Sequence, residues 1–258
     1  MKFGMPTLIE LHTLDEQVAL CRRLGLDFIE LNMNMPLFQI PELRRLPEYR
    51  ALEFTLHLSE DLNVWDFNER VKHAYLETVK DTIAVAHEKG IRLLNMHMNL
   101  GVYFTLPNER VYLFERYRDV FLEDTRRFID SIGDLLLRSG VVLCVENTGL
   151  YGRPFITDAL GILMQHPNLR LTWDIGHDIE VGQADTPFLT ENIDRLYHVH
   201  LHDGVKGSSH LPLGTGELDV ERFLLTVREH AERAVVETKT VVSLEESIGY
   251  LRTRRLIA

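Results

Sequence analysis

A short apolar run, a loop and then a longer stretch with helical spacing, closed by a basic residue and glycine, recurs along this chain and constrains its fold more than any other feature. Arg23-Leu24-Gly25 precedes DFIEL, Lys89-Gly90 precedes IRLLNMHM, and Arg138-Ser139-Gly140 precedes VVLCVENT. Glycine just past a helix takes the left-handed backbone that closes the last turn, and the cation favours the helix carboxyl end. These are therefore three helix stops, each feeding a strand. Thr13-Leu14-Asp15-Glu16 and Ser243-Leu244-Glu245-Glu246 carry the capping-box pattern of a helix start. This punctuation predicts eight strands, at residues 2–9, 27–33, 53–58, 93–98, 141–147, 169–175, 197–202 and 234–238. Helices are predicted between and after them, near 14–24, 41–49, 68–89, 109–138, 157–166, 186–194, 219–230 and 244–251. Eight alternations in 258 residues predict the α/β class and one closed (β/α)8 TIM barrel spanning 1–258 as a single domain. A doubly wound open sheet would use fewer strands, and it often carries a glycine-rich phosphate loop after the first strand, which is absent here.

Composition narrows the class. With 45% hydrophobic and 26% charged residues, and no Ser/Pro/Gly-rich linker, collagen-like, low-complexity and disordered chains are excluded. No apolar segment approaches the length of a membrane span, and MKFGMPTLIE lacks a signal-peptide core, so neither export nor membrane insertion is expected. Cys144 sits inside the apolar run Val141–Val145 and Cys21 is the only other cysteine, which predicts no disulfide framework and a reducing, cytoplasmic setting. The formal charge of −11 weighs against indiscriminate binding to nucleic acid or an anionic membrane, while leaving room for a local basic groove.

Side chains alternate across a strand, so each strand sorts its residues into two sets. Glu53, Thr55 and His57 share one face of the third strand, Asn95 and His97 one face of the fourth, Thr172 and Asp174 one of the sixth, and His198, His200 and His202 one of the seventh; the opposite sets are apolar. The apolar faces suit the helix layer, so the polar sets are expected inside the barrel, toward the C-terminal strand ends where barrel enzymes place their chemistry. Seven of the 12 histidines lie at strand ends or in the loop after the seventh strand: His57, His97, His177, His198, His200, His202 and His210. A lone strand histidine is commonly a hydrogen-bonded interior residue, and His198 and His202 are open to that reading. Glu146, Asp174 and Glu237 close the fifth, sixth and eighth strands at equivalent heights. Carboxylates gathered in one buried place require a compensating cation, and imidazole with carboxylate suits Zn²⁺, Mn²⁺, Fe²⁺ or Co²⁺.

Glu30 in DFIEL, His57 in LHL, His97 in NMHMNLG, Val145-Glu146-Asn147-Thr148, Trp173-Asp174-Ile175-Gly176-His177, His200-Leu201-His202-Asp203, the segment from His210 to Gly216 and Glu237 in VVETK together resemble the xylose isomerase-like barrel superfamily. That superfamily holds sugar isomerases and epimerases together with the endonuclease IV class of DNA repair enzymes. The epimerase resemblance implies one metal held by Glu146, Asp174, His200 and Glu237. The endonuclease IV resemblance implies three zinc ions, with His57, His97, His177 and His210 as additional ligands; its ninth ligand, an aspartate, is replaced here by Ser208.

Two functions follow. In the first, a divalent metal (zinc, manganese, magnesium or cobalt) stabilises an enediolate while Glu146 and Glu237 remove and return a proton beside the carbonyl of a small sugar or polyol. His177, His202, Glu30 and Trp65 are then expected to contact substrate, with Phe67, Tyr103 and Phe104 beside Trp65 as an apolar wall. In the second, clustered zinc ions cleave phosphodiesters at abasic sites; Ser208, the acidic balance and the lack of a basic, aromatic-interleaved loop weigh against it. A barrel that binds a metal and a polyol without catalysis is the third possibility. The expected partner is thus a small-molecule sugar, with nucleic acid disfavoured but not excluded, no membrane, and a homo-oligomer permitted.

Overall fold

The computed structural model describes residues 1–257. Its strands are β1 (Lys2–Pro6), β2 (Phe28–Asn32), β3 (Glu53–His57), β4 (Leu93–His97), β5 (Tyr103–Thr105), β6 (Arg110–Tyr112), β7 (Val142–Glu146), β8 (Leu169–Asp174), β9 (Leu196–Leu201), β10 (Asp203–Val205), β11 (Ser208–Leu211) and β12 (Arg233–Val236). Eight of them, β1 to β4, β7 to β9 and β12, form a closed parallel barrel in chain order, with β12 paired to β1. The helices are α1 (Leu14–Arg23), α2 (Ile40–Leu43), α3 (Glu69–Glu88), α4 (Leu113–Arg116), α5 (Arg118–Ser139), α6 (Pro154–Leu163), α7 (Ile175–Glu180), α8 (Thr186–Glu191), α9 (Val220–Val227) and α10 (Val241–Thr253). The predicted TIM barrel is what the chain forms.

The glycine stops behave as expected. Gly25, Gly90 and Gly140 have φ of 61, 71 and 65°, a conformation in which a side chain is strained. Thr13 forms the predicted capping box, with Glu16 N–H donating to Thr13 Oγ1 and Thr13 N–H to Glu16 Oε2. The second predicted box is displaced: Thr240, not Ser243, caps α10 and accepts from the Ser243 N–H, so the helix begins three residues earlier than read.

Each helix buries one stripe. In α5, Phe121, Thr125, Phe128, Ile132 and Leu136 recur at spacings of three and four and are buried, while the other side faces water. On the strands, Leu56, Met96, Val145, Trp173 and Val199 join the apolar core. The alternate residues form a buried polar filling. Thr172 Oγ1 donates to Asn95 Oδ1 (2.6 Å), Thr55 Oγ1 donates to Glu30 Oε2 (3.0 Å), and His198 Nε2 lies 3.0 Å from the same oxygen. His198 is thus the hydrogen-bonded interior histidine that its position allowed.

Two hairpins depart from the eightfold reading. Residues predicted to open a single helix at 109 instead form β6, which pairs with β5 just before it, and the short α4, and α5 starts only at Arg118. Residues 203–211 fold back as β10–β11. Among the described residues, no helix is long and apolar enough to cross a membrane.

Candidate metal centre and cavity

The parallel register brings the predicted residues to one level. His97 pairs with Glu146, Asp174 pairs with His200, and Glu237 follows β12 with its N–H bonded to Leu201 O. In barrel order β7, β8, β9 and β12 are adjacent, so Glu146 and Glu237 stand on either side of Asp174 and His200.

His200 is the centre of the cluster. Its Nδ1 lies 2.8 Å from Glu237 Oε2, 3.4 Å from Glu146 Oε2 and 3.7 Å from Asp174 Oδ2. On the other side of the ring, Nε2 is 2.8 Å from Glu30 Oε1. His200 and Asp174 are fully buried, and Glu146 and Glu30 nearly so. Burial opposes a cationic His200, but the carboxylates of Glu146, Glu237 and Glu30 outweigh it and raise its pKa well above the ordinary value. Burial likewise opposes ionised Glu146 and Glu237, yet His200 and its neighbours hold both well below the usual carboxylate range. The pocket therefore demands positive charge.

A divalent cation would meet that demand. Neither ring nitrogen of His200 nor Oε2 of Glu237 is well aligned for a hydrogen bond with the charged partner beside it, although all three are buried. Oxygen and nitrogen ligands about 2.0–2.2 Å from a tetrahedral ion lie roughly 3.3–3.6 Å from one another, near the 3.4 and 3.7 Å separations of Glu146 and Asp174 from Nδ1. One donor atom from each of Glu146, Asp174, His200 and Glu237 falls within 4.8 Å of the others. Glu30 behind Nε2 is placed as the carboxylate that orients a ligating imidazole. The four residues fit a divalent ion.

Besides the group that Glu30 and His198 form with His200, two further donor groups flank this set. His57 Nε2 and His97 Nε2 lie 3.3 and 3.4 Å from Glu146 Oε2, and the Asn95 amide also donates to that oxygen. Burial lowers the His57 pKa and hydrogen bonding to Glu146 raises it, for a net rise to about 9. His177, His202 and His210 form the other group, but both nitrogens of His202 are engaged: Nε2 lies 2.9 Å from Asp174 Oδ2, and Nδ1 accepts the His210 N–H at 2.8 Å. Ser208 lies on β11, paired with Val205. His210 itself has φ of 56°, in the left-handed region; a non-glycine residue stays there only where its surroundings enforce it.

A cavity of about 650 Å³ opens over the cluster. Glu146, Glu237, His57, His97, His177 and His210 line it, together with Lys239, whose Nζ is 3.3 Å from Glu237 Oε1. Five of the residues expected to contact substrate are elsewhere. Trp65 is fully buried among Phe121 and Phe128, with Nε1 donating to Thr125 Oγ1 (3.0 Å), so it belongs to the helix layer. Glu30 and His202 stand behind the wall, holding His200 and Asp174 respectively. Tyr103 and Phe104 are on the β5–β6 hairpin, exposed and off the cavity wall.

Several buried groups that position the site escaped the sequence reading. The Asn147 amide donates to Asp174 O (2.9 Å) and its carbonyl accepts the Asp174 N–H (2.7 Å), locking two strand ends together. Asp185 accepts from that amide and from the Gly149 and Tyr151 N–H groups, fixing the loop after β7. Asp203 accepts four backbone N–H groups, from Gly204, Gly214, Gly216 and Leu218, and so pins the loop that carries His210. The one legible signal was an aspartate followed by a glycine-rich segment, since glycines let several backbone N–H groups turn toward one carboxylate.

The sequence pattern of the xylose isomerase-like TIM barrel family matches residues 18–254. Among solved structures, a D-tagatose 3-epimerase-like protein superposes with a TM-score of 0.77 at 23% identity, over 99% of this chain and 97% of its own. The 3-keto-D-glucoside 4-epimerase from E. coli superposes at 0.74 with 20% identity, over 98% and 99%. The IOLI protein, solved with a bound zinc atom, superposes at 0.69 with 15% identity, over 99% and 97%. This chain belongs to the xylose isomerase-like TIM barrel family.

Proposed function

We propose that the protein is a metal-dependent isomerase or epimerase of a small sugar or polyol. The observation that carries this reading is the pair Glu146 and Glu237, which flank His200 and both reach the cavity. Held by Glu146, Asp174, His200 and Glu237, a divalent cation supplies the positive charge that offsets negative charge developing on the substrate's oxygens as a proton leaves the neighbouring carbon. One glutamate takes that proton and the other returns one, which inverts or relocates the centre. His200 and its neighbours keep both ionised near neutrality. Glu30 and His202 orient His200 and Asp174 from behind. His177 and His210 offer ring nitrogens to substrate hydroxyls from the cavity wall. The names of the superposed epimerases support this reaction class, and the zinc in the third neighbour supports the cofactor.

The test is incorporation of solvent deuterium into a panel of ketohexoses and ketopentoses in D2O, followed by proton NMR with Zn²⁺, Mn²⁺, Mg²⁺ or Co²⁺ added. Exchange at the carbon beside the carbonyl is expected, slowed about 10²–10⁴-fold in Glu146→Gln and Glu237→Gln. Metal-loaded protein that exchanges no member of the panel would overturn the reading.

A second reading, metal-dependent phosphodiester hydrolysis, draws on the donor group of His57, His97 and Glu146. It requires more than one ion per chain, together with incision of abasic DNA.

A further inference from the structure

The C-terminal end of the barrel holds few cations. The connections that follow its eight strands, at residues 7–13, 33–39, 58–68, 98–112, 147–153, 175–185, 202–219 and 237–240, contain four lysines and arginines: Arg110, Arg153, Lys206 and Lys239. Arg110 sits 5.1 Å over the Tyr103 ring, and Arg153 sits 4.3 Å over Tyr112 with Nη2 donating to its hydroxyl (3.2 Å). Lys206 is exposed in the turn between β10 and β11, off the cavity wall. Of the four, Lys239 alone lines the cavity, and its ammonium is bonded to Glu237. The His57 imidazole on the same wall is likewise held by Glu146. Against them stand four carboxylates on the wall, Glu60, Glu146, Glu180 and Glu237.

The backbone is equally closed to an anion. Barrels of this kind frequently bind phosphate at the loops after the seventh and eighth strands, on free N–H groups and the first turn of a helix. Here those strands are β9 and β12. After β9, the Gly204, Gly214, Gly216 and Leu218 N–H groups converge on the Asp203 carboxylate, so an anion of the chain itself fills the nest. After β12, Glu10 accepts the Val241 N–H and Thr240 Oγ1 accepts the Ser243 N–H, so the first turn of α10 is taken as well.

We propose that the cavity accepts an uncharged ketose or polyol and rejects its phosphate esters and the corresponding sugar acids. That the cavity is the substrate site rests on the isomerase reading; the charge selection rests on the wall itself. Ionised carboxylates accept hydrogen bonds and donate none, so they suit a ligand rich in hydroxyl donors. A phosphate dianion brings acceptors and further negative charge, and like charges brought together disfavour the wrong partner. A divalent ion offsets the carboxylates that would hold it, whereas Glu60 and Glu180 lie outside that set and keep the outer wall negative.

Two measurements on the metal-loaded chain test this. Solvent deuterium exchange compares each ketose with its own terminal phosphate ester, and the unphosphorylated member should have a kcat/KM about 10²-fold higher or more. Titration calorimetry compares a pentitol with its phosphate ester, neither of which has a carbonyl to react, and the pentitol should bind about tenfold tighter or more. Glu60→Lys puts a cation at an exposed position on the wall and should narrow the kinetic ratio about tenfold. Exchange with no sugar would defeat the isomerase reading alone, and the calorimetric ratio then decides the charge selection by itself. A phosphate ester that reacts faster or binds as tightly as its parent overturns the proposal and leaves the isomerase reading standing. So does a kinetic ratio that Glu60→Lys leaves unchanged, or calorimetry in which neither ligand binds.

Discussion

Asp203→Ala should cost more stability than any other substitution of a polar residue outside the donor cluster. The side chain is fully buried, and its oxygens accept four backbone N–H groups at 2.9 Å: Gly204 and Leu218 on Oδ1, Gly214 and Gly216 on Oδ2. A hydrogen bond to a charged acceptor contributes about 1.5–3 kcal/mol, so four would amount to about 6–12 kcal/mol if they were independent. They share one anion, and Gly214 is exposed while Gly216 and Leu218 are half-buried, so water recovers part of the loss. The expected net cost is about 3–5 kcal/mol for Asp203→Ala and about 2–3 kcal/mol for Asp203→Asn, which keeps one acceptor oxygen but turns an NH2 toward donors. Gly216→Ala should fall in the same range, because its Cβ would sit 2.4 Å from Asp203 Oδ1 and from Gly204 O. Guanidinium titration at neutral pH, followed by tryptophan fluorescence and circular dichroism, measures all three. An Asp203→Ala protein within about 0.5 kcal/mol of wild type would refute the reasoning.

Trp65→Ala should destabilise by about 3–5 kcal/mol, as truncation of a fully buried aromatic does, while metal content per folded chain stays at the wild-type level; selective loss of metal would place Trp65 back at the site. Glu30→Gln should keep the fold and weaken metal affinity about 10–100-fold, measured by competition with a chromogenic chelator; unchanged affinity would deny it the orienting role. Burial pushes the Cys21 thiol up to about 12 and raises Cys144 as well, so both stay protonated at pH 8. Neither should react with a disulfide reagent until the chain is denatured, when two equivalents are expected; prompt reaction of the native protein would show a more open barrel.

Barrel closure was legible because each strand is announced locally. An apolar run after a left-handed glycine needs no tertiary information, and the eight strands fall within three residues of their predicted ends. The candidate donors were legible for the same reason, since parity places Asp174, His200 and their neighbours inside without reference to other strands. What failed depends on distant partners. Trp65 reads the same whether its ring turns to a cavity or to Phe121 and Phe128, and only the packing of α3 against α5 decides. Glu30 is one interior acid among several until His198 and His200 are found against it. The hairpins are too short for periodicity: β5 and β6 have three residues each, and the helical spacing that follows masked them. The role of Asp203 went unread, despite the glycines that follow it, because its partners are backbone groups up to fifteen residues away.

In the proposed reaction Glu146, Asp174, His200 and Glu237 hold one divalent ion. Elemental analysis of the purified chain by plasma mass spectrometry, after exposure to excess Zn²⁺ or Mn²⁺ and desalting, tests it most directly. One ion per chain is expected in wild type and near none in His200→Ala, with the fold retained. Two or three ions per chain, or one ion that survives His200→Ala, would contradict it.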